Sequence, residues 1–174
     1  MKRAIYIFIA AIILASTPLS VKAQTDFRMQ AVFLYNFTRL IAWPADYQSG
    51  DFIVATFGNS DMNKEVQEMA DTKRAGNQEI KSIIFNSVED ISKCHILYIP
   101  PSQSRRIGDI VAALKTKNIK ALVVTDARNA INNGAVINFT IVNNRQRFEL
   151  SAENARSMGL NPGGEISRLA ILAD

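Results

Sequence analysis

The side chains able to do chemistry in this chain are few, and most stand where strands give way to helices. His95 and Cys94 are the only histidine and the only cysteine among 174 residues. Metal centres are assembled from several His, Cys or carboxylate ligands at defined spacings, so neither a zinc nor a haem site is expected, nor any other cofactor. A Ser-His-Asp constellation would have to use the same histidine. His95, however, opens the apolar run His95-Ile-Leu-Tyr-Ile99, which reads as a core strand whose histidine bonds to backbone. Cys94 reads as a small buried hydrophobe rather than a thiolate nucleophile, and with no second cysteine it forms no intrachain disulfide.

Gly58-Asn59-Ser60 follows a strand pattern and opens a helical one, a place where phosphates are often held. It has neither the G-x-G-x-x-G nor the Walker spacing, and Asp61 in the first turn would repel an anion. It reads as a turn with a serine cap. A second cluster is more suggestive. Loops at the carboxyl ends of parallel strands converge on one edge of a sheet, and here they would present Ser102, Ser104, Arg105, Arg106 and Arg128. Arg105 and Arg106 fall at the positive start of a helix, which is unfavourable unless something negative lies nearby. These five residues are the candidate site for an anion or carboxylate. The competing reading is a solvated arginine pair on a loop.

The elements that would position these groups follow from periodicity. Phe27 to Ile41 has helical spacing with apolar residues around most of its circumference and Arg28, Asn36 and Arg39 in one narrow stripe. Trp43-Pro44 should stop it, because the residue before proline is pushed out of the helical region. Short β-rich runs then alternate with helical ones. Strands are expected at Phe52 to Phe57, Glu79 to Phe85, His95 to Ile99 and Lys120 to Thr125. Helices are expected at Ser60 to Ala70, Ser87 to Ser92 and Ser104 to Lys117. That alternation predicts βαβ units and a largely parallel sheet flanked by helices. Ala135 to Val142 and Arg145 to Leu150, joined by Asn143-Asn144, predict an antiparallel C-terminal hairpin. Ser151 to Met158 and Glu165 to Ala173 are the closing helices, and the chain shows no internal repeat or low-complexity tract.

Charge and export signals narrow the function. Lys2 and Arg3 precede an apolar run from Ala4 to Ala15, a Ser/Thr/Pro break at Ser16 to Ser20 and the exit Val21-Lys22-Ala23, the pattern of a signal peptide cut after Ala23. The run is too short for a membrane span of about 20 residues. Gln24 stands where a lipoprotein would need cysteine, so a free periplasmic protein with one domain over residues 24–174 is expected. Beyond Lys2, Arg3 and Lys22, 17 basic residues face 16 acidic ones, a balance that does not call for nucleic acid. Five of the 12 aromatic residues after Ala23 fall within 17 consecutive positions: Phe27, Phe33, Tyr35, Phe37 and Trp43. Aromatic and arginine side chains dominate binding hot spots. Phe33, Phe37, Arg39 and Trp43 are therefore the candidate partner interface, with the hairpin as a second location.

Several of these motifs, taken in order, resemble the YfiR-type periplasmic regulatory family. Phe33-Leu-Tyr-Asn-Phe37 with Trp43-Pro44 resembles its N-terminal helix and stop, and Cys94-His-Ile-Leu-Tyr-Ile99 its central strand. Gly134-Ala-Val-Ile-Asn-Phe139, Arg147-Phe-Glu-Leu150, and Ala155 to Gly159 followed by Ser167-Arg-Leu-Ala170 resemble its C-terminal motifs. The resemblance implies an α/β sandwich without catalysis. It also implies a repressor, monomeric or homodimeric, of an inner-membrane sensor protein: a diguanylate cyclase, whose cyclic-di-GMP synthesis is held off, or a histidine kinase. Thr125-Asp126 and Asn133-Gly134 depart from the family's Gly-Asp pair and double glycine. The lone Cys94 leaves no basis for the disulfide-linked redox control of the family's best-known member. The alternative function is a small-anion receptor or envelope hydrolase using the carboxyl edge of the sheet.

Overall fold

The computed structural model describes residues 26–173; the expected signal peptide lies outside them. Helix α1 (Phe27–Leu40) begins at Asp26, whose side chain accepts a hydrogen bond from the Met29 amide at 3.0 Å, satisfying one of the free donors of the first turn. Its buried stripe is Gln30, Ala31, Leu34, Phe37 and Thr38, so two polar residues face inward while Met29 and Val32 face solvent. The helix ends before Trp43-Pro44. Ile41–Ala42 (β1) turns extended and pairs antiparallel with Asn161–Pro162 (β9) in a separate two-stranded sheet.

The main sheet contains β2 (Phe52–Phe57), β3 (Arg74–Ala75), β4 (Gln78–Phe85), β5 (Ile96–Ile99), β6 (Leu122–Thr125), β7 (Ile137–Val142), β8 (Arg145–Leu150) and β10 (Ile171–Leu172). Their spatial order is β10-β8-β7-β6-β5-β2-β4-β3. The pairs β2/β4, β2/β5, β5/β6 and β6/β7 are parallel, and the β7–β8 hairpin is antiparallel. This is the α/β architecture expected. Asn143 and Asn144 turn the hairpin at φ 50° and 59°, the left-handed pair that matches the twist of a two-residue hairpin.

Helices cover both faces. Side chains alternate along each strand, so Thr56, Tyr98, Val124, Ile137 and Leu150, aligned across the sheet, share a face with Phe139 and Phe148. Helix α1 lies on that face, with Phe37 5.1 Å from Phe148. Helix α2 (Met62–Thr72) and helix α5 (Gly164–Leu169) pack beside it. Helix α3 (Ile107–Thr116) crosses the other face, where Gly134 approaches Val111 so closely that an added Cβ would lie 3.1 Å from its Cγ1. Helix α4 (Ala152–Ser157) is capped by Ser151 and tied to the loop after β6 by Asn154, which donates to the carbonyls of Ile131 and Ala135.

Three expectations require correction. Ser87 to Ser92 forms no helix. Ser87 and Asp90 exchange capping hydrogen bonds, but Lys117 Nζ donates to the carbonyls of Val88, Glu89 and Ile91. A distant cation thus takes acceptors that a helix would have used. Ser104 to Lys117 is divided, with a 3₁₀ segment at Pro101–Arg106 before α3. The closing helix stops at Leu169. Ile171–Leu172 leaves it to run parallel to β8, and the Ala173 amide donates to Leu150 O at 3.0 Å.

Candidate functional site

At the amino ends of the strands, His95 is 1% exposed. Its Nδ1 accepts from the Ile53 amide at 3.0 Å, so the proton sits on Nε2, which donates to Tyr47 O at 2.8 Å. The imidazole stacks on Phe52 with centroids 4.0 Å apart, and Trp43 and Tyr47 meet it edge-on. Burial holds its pKa below the ordinary histidine value. Both nitrogens are occupied, leaving none to take a substrate proton. Cys94 is fully buried, and burial alone pushes its thiol up to about 12, so no thiolate forms at neutral pH. The two residues with the most reactive side chains therefore hold the fold together.

The carboxyl ends are polar and less completely paired. Tyr98 Oη donates to Asp126 Oδ1 at 2.8 Å. Burial raises the Asp126 carboxyl above the usual range, while hydrogen bonding from Tyr98 and the nearby Gln30 amide opposes that rise. Gln30 Oε1 and Thr56 Oγ1 are buried without a hydrogen-bond partner. Arg106, on the opposite face, places its guanidinium 4.8 Å from the centre of the buried Phe57 ring. Ser102 and Arg105 are exposed, and Ser104 and Arg106 partly so. Arg128 is exposed on the loop after β6 and lines a polar pocket whose walls include none of Ser102, Ser104, Arg105 or Arg106.

A different surface is formed over α1. Phe33, Phe37 and Phe148 floor a groove of about 390 Å³, with Leu40 and Leu169 on its sides and Asn36, Arg39 and Glu165 contributing its polar groups. Phe33 and Phe148 meet edge-on at 5.5 Å. Leu169 is 51% exposed and Leu172 63%. Leu172, paired with Leu150, and Ile141, two residues beyond Phe139, project from the sheet face against which α1 packs. An apolar floor with a charged rim is the composition of a protein-binding surface.

The structure brings together Phe33, Phe37 and Arg39 in this groove and leaves Trp43 out. The Trp43 indole N–H donates to Thr38 O at 3.0 Å, and its ring packs on Phe52 and His95. Phe148, Glu165 and Leu169 were not foreseen as groove residues. In the sequence, Arg145, Arg147 and Glu149 alternate with Phe148 and Leu150, a period-two pattern that sets Phe148 on the apolar face of its strand. Nothing local in the sequence indicated that Leu169 would end its helix beside that ring.

A family model described as YfiR/HmsC-like matches residues 27–171. No curated protein matches the chain.

Proposed function

The chain belongs to the YfiR/HmsC-like family, and from that premise we propose that it is a periplasmic regulator that docks on the sensor domain of an inner-membrane signalling protein, a diguanylate cyclase or histidine kinase, and holds it inactive. The observation that carries this reading is the aromatic groove over α1, where Phe33, Phe37 and Phe148 lie beside exposed Leu169 and between the opposite charges of Arg39 and Glu165. Among the described residues no helix is long and apolar enough to cross a membrane. The buried, fully bonded His95 and the protonated Cys94 support binding rather than turnover. A regulator of this kind shifts its target only by the difference between its affinities for the active and inactive states. A shift from one part in a hundred to ninety-nine needs roughly 5.5 kcal/mol of such difference, within reach of a few buried aromatic anchors.

The test is a charge placed in the groove. Leu169 is exposed enough for Leu169→Glu to fold normally, and a hot-spot loss of about 2 kcal/mol or more would weaken co-purification with the cognate sensor about 30-fold. It would also release the sensor's output, read as cellular cyclic-di-GMP or as kinase activity. Arg105→Glu, on an unrelated loop, serves as the control and should leave both unchanged. If Leu169→Glu and Arg39→Glu both retain full binding and repression, the groove is not the docking surface.

A further inference from the structure

On the sheet face opposite α1, the loop after β6 and the hairpin strands enclose a polar pocket of about 400 Å³. Asn138 and Glu149 face each other across the hairpin register, and Thr140 lies two residues along. Asn138 is 8% exposed. Its Nδ2 donates to Glu149 Oε2 at 2.7 Å, which fixes the orientation of the amide, because the reverse orientation would set two oxygens against each other. Its Oδ1 is left buried with no donor, and the residue is part of the pocket lining. A buried acceptor in this position is normally paired, and the nearest open space is the pocket that Asn138 lines.

We propose that this pocket binds a small free zwitterion, its ammonium held by Asn138 Oδ1 and the Glu149 carboxylate and its carboxylate held by Arg128. The charges on the walls decide among ligand classes. A simple anion would meet Glu149, and a polyamine would meet Arg128. A hard divalent cation would require more oxygen ligands and more than the single carboxylate in this wall, and among the described residues no group of three or more His, Cys, Asp or Glu side chains could hold a metal ion. Ile131 is the one large apolar residue in the lining, so the pocket favours a small polar body over an aromatic one. Because it lies on the opposite face from the aromatic groove, occupancy here and partner docking succeed or fail separately.

The experiment is an NMR and calorimetric titration of the purified protein with glycine, L-serine and glycylglycine. N-acetylglycine, which lacks the ammonium, and glycinamide, which lacks the carboxylate, are the matched controls. At least one zwitterion should saturate the protein and bind about tenfold more tightly than either control, the scale expected from losing one charged contact. Arg128→Ala should weaken the zwitterion about tenfold and leave glycinamide unchanged. Glu149→Gln, checked for an unaltered melting curve, should weaken both. Arg128 is an exposed loop residue, so its variant keeps the test decisive even where Glu149→Gln fails to fold. Glycerophosphoethanolamine distinguishes a free solute from a lipid headgroup; if it alone binds, the proposal fails. It also fails if none of the three zwitterions gives a saturable shift, or if N-acetylglycine binds as tightly as they do.

Discussion

The two ends of the parallel strands follow opposite chemical rules. At the amino end, Trp43, Tyr47, Phe52 and His95 form an aromatic plug in which both imidazole nitrogens and the indole N–H are bonded to backbone, and Tyr47 Oη accepts from the Lys120 amide at 3.0 Å. Toward the carboxyl end lie all three buried side-chain atoms without a partner among the described residues: Gln30 Oε1, Thr56 Oγ1 and Asn138 Oδ1. Asp126 is held there with a raised pKa. A buried polar group costs little when paired and about 1–3 kcal/mol when not, so the first region is organised for stability and the second tolerates a cost. Such costs gather where ligands and partners bind.

Breaking the plug should have the largest effect. His95→Leu removes both ring hydrogen bonds and strands the Ile53 N–H and the Tyr47 carbonyl, and about 3–4 kcal/mol of stability should be lost in urea denaturation. The pH dependence gives an independent check. Burial lowers the folded-state pKa of His95 below the ordinary 6.5, so as pH falls the unfolded chain takes up this proton first. The contribution of His95 is complete above pH 6.5, declines as pH falls through the folded-state value, and levels off below it. Urea midpoints measured down that range should fall in the native protein, and the His95 part of the fall should be absent from His95→Leu. Equal slopes in the two proteins would place the titrating group elsewhere.

At the other end, two substitutions within one hydrogen bond should act in opposite directions. Tyr98→Phe deprives the Asp126 carboxylate of its 2.8 Å donor and should cost about 1.5–3 kcal/mol, the range for hydrogen bonds to charged groups. Asp126→Asn keeps an acceptor for Tyr98 while removing a charge whose ionisation burial opposes. Because the folded-state pKa is raised above 3.8, the favourable contribution of the protonated acid is complete only below that value and is lost as pH rises. At pH 7 the asparagine variant should therefore be more stable than the native protein, by up to about 1 kcal/mol. A loss as large as that of Tyr98→Phe would show that the carboxylate braces the fold, and the contrast between the two ends would shrink.

The legibility of the molecule divides along similar lines. Parallel pairing was readable because β2, β5 and β6 are short apolar runs with helical patterns between them, and the hairpin because Asn143-Asn144 accepts positive φ. The hairpin also contains a signal for the polar pocket. Once a two-residue turn is assigned, the register puts Asn138 opposite Glu149, between the apolar Ile137 and Phe139 of its strand. Lys117 bonding to the 88–91 carbonyls was hidden, because it joins positions more than 25 residues apart and leaves a capping pattern intact. The same holds for Gln30. On a helix with apolar residues on most sides, nothing local indicates that Gln30 faces inward, beside the distant Asp126. Composition groups Trp43 with the interface aromatics, whereas its half-buried ring packs on Phe52 and His95.

The smallest predicted effect separates two neighbouring arginines that the sequence treats as a pair. Arg106 lies over Phe57 at 4.8 Å, an attraction worth about 0.5–1 kcal/mol at a partly exposed site, and Arg106→Ala should lose about that much. Arg105 is exposed, and Arg105→Ala should stay within about 0.5 kcal/mol of native, the usual span for surface changes. Arg106 also helps hold the Glu89 carboxyl below its ordinary range, after the backbone and Ser87 hydrogen bonds that contribute more. In Arg106→Ala the Glu89 carboxyl should therefore titrate slightly higher in an NMR pH series, while in Arg105→Ala it should not move. If both variants shift Glu89 equally and neither changes stability, the two guanidiniums are equivalent solvated charges. Arg106 would then be as free as Arg105 to meet an anion at the carboxyl edge.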